Sequence, residues 1–173
     1  MANSFLSRLG DGDRALFLRL ALHEATPRRA TQLWRLATHL GGARFTVGVS
    51  LAPLAIGGTW RVGATRALAT LVLSHLAVQV VKRSVGRPRP SRGISCDVLI
   101  TEPDRFSFPS GHAAAAMSVA LGYASVHPAV APLLAAIAVT VGFSRVALAV
   151  HYPGDVLAGQ CLAVLASVAL QAL

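Results

Sequence analysis

Charge is scarce in this chain, and acidic charge scarcest: its 173 residues include 7 Asp and Glu against 16 Lys and Arg, and only 13% are charged at all. So few charges beside 54% hydrophobic residues and a mean hydropathy of +0.58 exclude an ordinary soluble or disordered chain. The chain belongs in a bilayer. Two cysteines, Cys96 and Cys161, exclude a disulfide framework, and their spacing is no metal-finger spacing; neither receives a role. With no such finger and no soluble basic domain, the net charge of +9 is not read as nucleic-acid binding. Anionic lipid or phosphate is the expected partner. The first 22 residues lack a clean apolar core, because Arg8, Arg14 and Arg19 mix there with Asp11 and Asp13, so no removable signal peptide is expected. There is no internal repeat and no sign of a second domain.

Blocks of apolar residues fill most of the rest. Asp11 to Leu40 alternates arginines with Leu16, Phe17, Leu20, Leu33, Trp34 and Leu36, a pattern that suits a helix lying on a membrane surface. Phe45 to Ile56 is apolar but short, Ala64 to Val81 is long enough to span, and an alanine-rich helix is expected from about Ser110 to Val126. Ala129 to Val150 and Val156 to Leu173 complete the set. The predicted fold is all-α, a multi-pass membrane helix bundle of about five segments with an N-terminal interfacial amphipathic region. It forms one domain: residues 1–42 interfacial, residues 43–173 the helix bundle. The many small residues in the spans suit close helix packing in lipid.

The polar residues fall at the ends of these spans. Lys82 ends one helix, Ser110 and His112 begin the next, Ser144 and Arg145 lie near the end of the third, and His151 and Asp155 open the last. If consecutive helices are antiparallel, all four ends share one side of the membrane. A charge at a helix centre costs about 2.5 to 3.5 kcal/mol, so ionisable groups gathered at one rim point to a common polar pocket. Lys82, Arg89 and Arg145 supply cations, two of them with planar forks that match phosphate oxygens. The N–H groups of Ser110 to His112 open a helix N-terminus, where anions bind, and Ser110 is a good N-cap residue. His112 and His151 can attack phosphorus or protonate a leaving alkoxide, and Asp155, four residues after His151, can orient its ring.

Three stretches carry a resemblance. Lys82 to Pro90, KRSVGRPRP, fits Lys, six residues, Arg-Pro; residues 109–112 are PSGH; and SRVALAVHYPGD, Ser144 to Asp155, fits Ser-Arg, five residues, His, three residues, Asp. In order and without substitution, they resemble the signature motifs of the type 2 phosphatidic acid phosphatase superfamily, largely membrane lipid phosphatases and also vanadium haloperoxidases. The resemblance covers roughly residues 45 to 173. It implies His151 as nucleophile through a phosphohistidine, His112 as general acid, and Asp155 as support for His151. Lys82, Arg89, Ser110, Gly111 and Arg145 would hold the phosphoryl group, with Gly111 letting the backbone come close. Neither cofactor nor metal is implied, because the basic side chains do the charge work.

Other readings stand beside this one. A zinc site from His112, His151 and Asp155 is opposed by three nearby cations. A soluble haloperoxidase needs a longer, more polar chain, and a non-catalytic lipid-phosphate binding or transport protein would not require both histidines. His75, Gln79 and Lys82 share one helix face at i, i+4 and i+7; the first two either line the pocket or hydrogen-bond across the bundle. The Ser91 to Ser107 connection, with Asp97, Glu102 and Asp104, either gates the site or is a solvated loop. Expected substrates are phosphatidic acid, phosphatidylglycerophosphate, polyprenyl phosphates or pyrophosphates, and polyprenyl-linked sugar phosphates. On this topology only Arg61 and Arg66 of the 16 basic residues lie opposite the site, so the positive-inside rule favours a cytoplasmic site, whereas members of the resembled family often face the periplasm or exterior. No sequence feature sets an oligomeric state.

Overall fold

In hydrocarbon every backbone N–H and C=O needs an internal partner, so apolar stretches of this length have helix as their natural outcome. A computed structural model describes residues 2–172, with side chains from Gly10 onward. Among the described residues there are eight helices and no strand: α1 Ala2–Leu20, α2 Arg28–His39, α3 Ala43–Leu51, α4 Gly58–Val85, α5 Pro90–Gly93, α6 Gly111–Ala124, α7 Ala131–Ala147 and α8 Pro153–Gln171. Two 3₁₀ turns, Ala52–Ala55 and Pro128–Val130, extend α3 and precede α7. One isolated bridge pairs Pro88 with Phe106.

The five expected membrane segments divide into two kinds. The helices Gly58–Val85, Pro128–Ala147 and Pro153–Gln171 are long and apolar enough to cross a membrane. Ala43–Ala55 and α6 are shorter; the 14 residues of α6 rise about 21 Å against a hydrocarbon core of about 30 Å. Its place in the bundle matches that length, for α6 is packed between α4, α7 and α8. Alanine at 113, 114, 116 and 120 lets those neighbours close in, each at most 7% exposed. A hydrogen bond of 2.8 Å between Ser74 and Ser118 ties α4 to α6. The outward faces carry Val72, Leu76, Val80, Leu133, Leu157 and Leu165, as a lipid-facing surface requires.

Two features prepare the polar end. α4 stops at Gly86, whose φ of 63° is left-handed and whose N–H caps Lys82 O. The proline-bearing connection then folds back over the bundle end instead of continuing the helix. From the N-terminal side, α1 buries Phe17 completely against the edge of the Tyr152 ring, with centroids 5.3 Å apart. α2 sets Trp34 against Phe143 on α7 and turns Leu33 and Leu36 outward.

Candidate active site

The site forms where α4 and α7 end and α6 and α8 begin, the four ends expected to share a level. α8 approaches α6 closely there: a Cβ on Gly159 would lie 2.4 Å from Ser110 O, so a side chain would push the two helices apart. The Ser110 N–H donates to Asp155 O at 2.9 Å, fixing the start of α6 against the start of α8.

Asp155 occupies the third position of α8 and is fully buried. Its Oδ2 accepts from the Tyr152 N–H at 2.8 Å and from the Ser107 hydroxyl, and its Oδ1 pairs with Arg87 at 2.7 Å. Two neutral donors and a cation thus meet this buried carboxylate. Its Oδ2 also lies 3.6 Å from His151 Nδ1, an electrostatic contact longer than a good hydrogen bond. Ser107 Oγ is 3.5 Å from the same nitrogen. A proton on Nδ1 therefore faces acceptors, which leaves the lone pair on Nε2, 3.3 Å from an Arg89 nitrogen. His151 sits in the turn between α7 and α8, 1% exposed. Burial pushes its pKa down to about 4, against the upward pull of Asp155 and helped by Arg145 and Arg89, so the ring is neutral at pH 7.

The cations divide into occupied and open. Arg89 is completely buried and donates to Val150 O at 2.7 Å, Asp104 O at 2.6 Å and Asp104 Oδ1 at 3.0 Å. Lys82 pairs with the other oxygen of the same carboxylate at 2.7 Å. Burial alone would raise the Asp104 carboxyl, but its contacts with Lys82 and then Arg89 outweigh that and hold it below the usual carboxylate range. Arg145, 1% exposed, donates to Thr38 Oγ1 at 2.6 Å, while its Nε and second terminal nitrogen have no protein partner among the described residues. Ser110 stands at the N-cap position, yet its hydroxyl makes no cap hydrogen bond and is likewise buried without a partner. Each such orphan costs about 1 to 3 kcal/mol unless an acceptor meets it. Donors so placed can meet an oxyanion. A Cβ on Gly111 would meet only Val78 Cγ1 at 4.0 Å, so the protein's own packing does not demand glycine there.

Two cavities meet at His112. One, of about 460 Å³, runs from Lys82, His112, His151 and Asp104 along α4 between apolar residues of α3 and α4. The other, of about 590 Å³, is lined by Arg145, Thr38, His39 and the Leu99 to Pro103 segment. Both histidines thus line one chamber, on one side of the bundle. Among the described residues no group of three or more His, Cys, Asp or Glu is arranged to hold a metal ion. Burial, with Asp97 and Glu102 behind it, pushes the Cys96 thiol up, away from a reactive thiolate.

Several residues of the site escape a motif reading. Arg87, inside KRSVGRPRP, bridges Asp155 and Asp13, meeting the latter at 2.8 Å, and stacks over Tyr152 with 4.0 Å from its guanidinium carbon to the ring centroid. Asp13 also accepts from the Gly154 N–H at 2.7 Å. Ser107, Asp104 and Thr38 complete the set. Asp104 was legible only as one acid in a connection of undecided role, and Asp13 and Thr38 gave no local signal, because their partners lie 74 and 107 residues away.

The surrounding protein world matches this geometry. The decaprenylphosphoryl-5-phosphoribose phosphatase of Mycolicibacterium smegmatis is 40% identical over 87 residues, 50% of this chain and 47% of that protein. The lipid A 1-phosphatase of Rhizobium johnstonii is 34% identical over 95 residues, 52% of this chain and 39% of that protein. The chain therefore spans about half the length, or less, of these curated relatives. Among solved structures, a transmembrane PAP2 type phosphatidylglycerolphosphate phosphatase from Bacillus subtilis superposes with a TM-score of 0.78 at 26% identity, covering 95% of this chain and 85% of that one. Aquifex aeolicus LpxE also reaches 0.78, at 21% identity over 92% and 94% of the two chains, which is a likeness of fold. The sequence pattern of the PAP2 superfamily matches residues 63–172, a stretch that holds Lys82, Arg89, Ser110, His112, Arg145, His151 and Asp155 and all three spanning helices but the first turn of α4. By that match, over well more than half of its length, the chain belongs to the PAP2 superfamily.

Proposed function

We propose that this protein is a metal-independent lipid phosphatase that hydrolyses the phosphate ester or anhydride of a membrane lipid through a phosphohistidine. The observation that carries the reading is the pair of buried side chains with donors that lack protein acceptors, Arg145, which lines one of the two cavities that meet at His112, and Ser110, two residues before His112. His151 Nε2 attacks phosphorus, the bond from phosphorus to the lipid oxygen breaks, and His112 delivers a proton to the leaving alkoxide. Water then attacks the phosphohistidine, gives its proton to His112, and inorganic phosphate departs with His151 restored. Asp155 keeps the Nδ1 proton of His151 in place throughout and stabilises its charged form. Lys82, Arg89, Arg145, Ser110 and the N–H groups at Gly111 and His112 hold the phosphoryl oxygens as negative charge builds on them.

The relatives named above support a lipid phosphate as substrate, polyprenyl-linked sugar phosphates and phosphatidylglycerophosphate among them. The deciding experiment is phosphate release from a panel of lipid phosphates by the detergent-purified protein. Release is expected from the wild type, with inhibition by orthovanadate and none by EDTA, and a loss of about 10³-fold or more in His151→Ala. Lipid-phosphate binding without release points instead to a non-catalytic binding or transport protein. We further propose a site on the cytoplasmic face, from the bias of basic residues toward that end. Labelling of Ser91→Cys from outside intact cells, with Thr59→Cys silent, reverses that assignment.

A further inference from the structure

The stripe of α4 that walls the 460 Å³ cavity changes character along its length. At the top stands Lys82. One turn down comes Gln79, then His75, and below them Leu76, Val72, Leu71 and Leu68. At 1.5 Å per residue, Gln79 lies about 4.5 Å and His75 about 10 Å deeper in the membrane than Lys82. Charged, neutral polar and apolar groups thus follow one another down a single groove, whose other wall, on α3, is Ala43, Thr46 and Val47. The Thr46 hydroxyl is turned to Gly42 O at 3.1 Å and offers the groove nothing.

His75 and Gln79 have no partner across the bundle among the hydrogen bonds of the described residues; they approach each other alone, at 3.5 Å. His75 is exposed on the same helix as the lipid-facing Val72, Leu76 and Val80. An imidazole and an amide on a lipid-side face are costly unless something polar meets them. A structural role as bundle hydrogen bonds, one of the two readings open from the sequence, is not what the side chains do. They face the chamber that holds His112 and His151.

We propose that His75 and Gln79 form a second subsite that hydrogen-bonds a neutral, hydroxyl- or ester-bearing spacer, a sugar or a glycerol unit, between the scissile phosphate and the hydrocarbon tail. This rests on the phosphatase reading above and narrows its substrate class. With the phosphate at Lys82 and Arg89, the first atoms on the lipid side fall beside Gln79 and the next beside His75. A sugar or glycerol fills that interval with acceptors and donors. A polyprenyl monophosphate fills it with carbon, and leaves the imidazole and amide unmet. The Gln79 amide carries no charge, so the groove beside it suits a neutral spacer rather than a second anion.

The test is the ratio of kcat/KM for two substrate classes in the detergent-purified full chain. One class is polyprenyl monophosphate, with no spacer; the other is phosphatidic acid and a polyprenyl-linked sugar phosphate, which separate glycerol from sugar. His75→Leu and Gln79→Leu each lower the ratio of spacer-bearing to spacer-free substrate about five- to tenfold, roughly the worth of one hydrogen bond. Because the ratio cancels the active fraction, partial misfolding does not imitate the effect, and Gln79→Met, nearly the same shape, supplies the measurement if a leucine variant fails to fold. A ratio within about twofold of the wild type in these variants overturns the subsite while the phosphatase reading stands. A wild type that releases phosphate from neither class overturns that reading itself.

Discussion

The two ends of the bundle are built from different materials. At one end gather Lys82, Arg87, Arg89, Arg145, Asp13, Asp104, Asp155 and His151, of which Arg89, Arg145, His151 and Asp155 are at most 1% exposed. At the other end Trp60 lies against His127 with ring centroids 4.4 Å apart and near Tyr123 at 6.3 Å, and Arg66 reaches the Ser125 hydroxyl at 3.1 Å from an exposed position. The second end follows ordinary membrane economy, with amphipathic aromatics at the interface and basic groups left in water. The first end breaks that rule by burying like charges beside one another. Desolvated charge is tolerated there only with partners in place, and some of the donors at that end have none within the protein. The proposed phosphoryl site rests on that difference, although the far end also holds one buried nitrogen without a partner, His127 Nε2.

The comparison can be broken at several depths. The deepest cut is at Arg145, whose unmet donors are assigned to the phosphoryl group: Arg145→Ala is expected to lower kcat/KM about 100-fold or more, whereas Arg66→Ala, at the far end, changes it by no more than about twofold. Equal losses in steady-state phosphate release would erase the distinction between the ends. A smaller effect concerns Asp104, whose carboxylate joins Lys82 to Arg89 and competes with any incoming oxyanion. Asp104→Asn is expected to tighten orthovanadate inhibition about three- to tenfold, and weaker inhibition would make Asp104 a support of the two cations rather than their competitor.

The smallest expected departure is in pH. In the proposed mechanism His151 attacks only as the neutral ring. Its pKa is lowered to about 4, so protonation removes the lone pair only as pH falls through that value. The acid limb of kcat/KM, which reports the free enzyme, is therefore expected near pH 4 and not near the ordinary histidine value of about 6.5. A limb close to 6.5 would mean that His151 is better solvated than its 1% exposure implies.

Much of the site was legible because its parts are local patterns. PSGH announces a helix start after a proline. The step from His151 to Asp155 is one turn, and two turns of α4 put His75, Gln79 and Lys82 on one face. The shortness of α6 was not legible, since hydropathy runs on through Val126 while the helix ends at Ala124 with its neighbours packed round it. Nor was the allocation of arginines. KRSVGRPRP contains Arg83, Arg87 and Arg89, and composition alone cannot say that Arg87 turns to Asp155 and Asp13 while Arg89 turns to His151.

The amino-acid order alone determined that this chain is a helical membrane bundle, because a backbone in hydrocarbon has no other way to satisfy its hydrogen bonds over such apolar runs. It also determined which residue types stand at the helix ends. The tertiary structure alone decided which donors are matched within the protein and which are left for a ligand, and which acid sits on which cation. Those outcomes depend on distances between segments up to 141 residues apart, where no sequence spacing carries information.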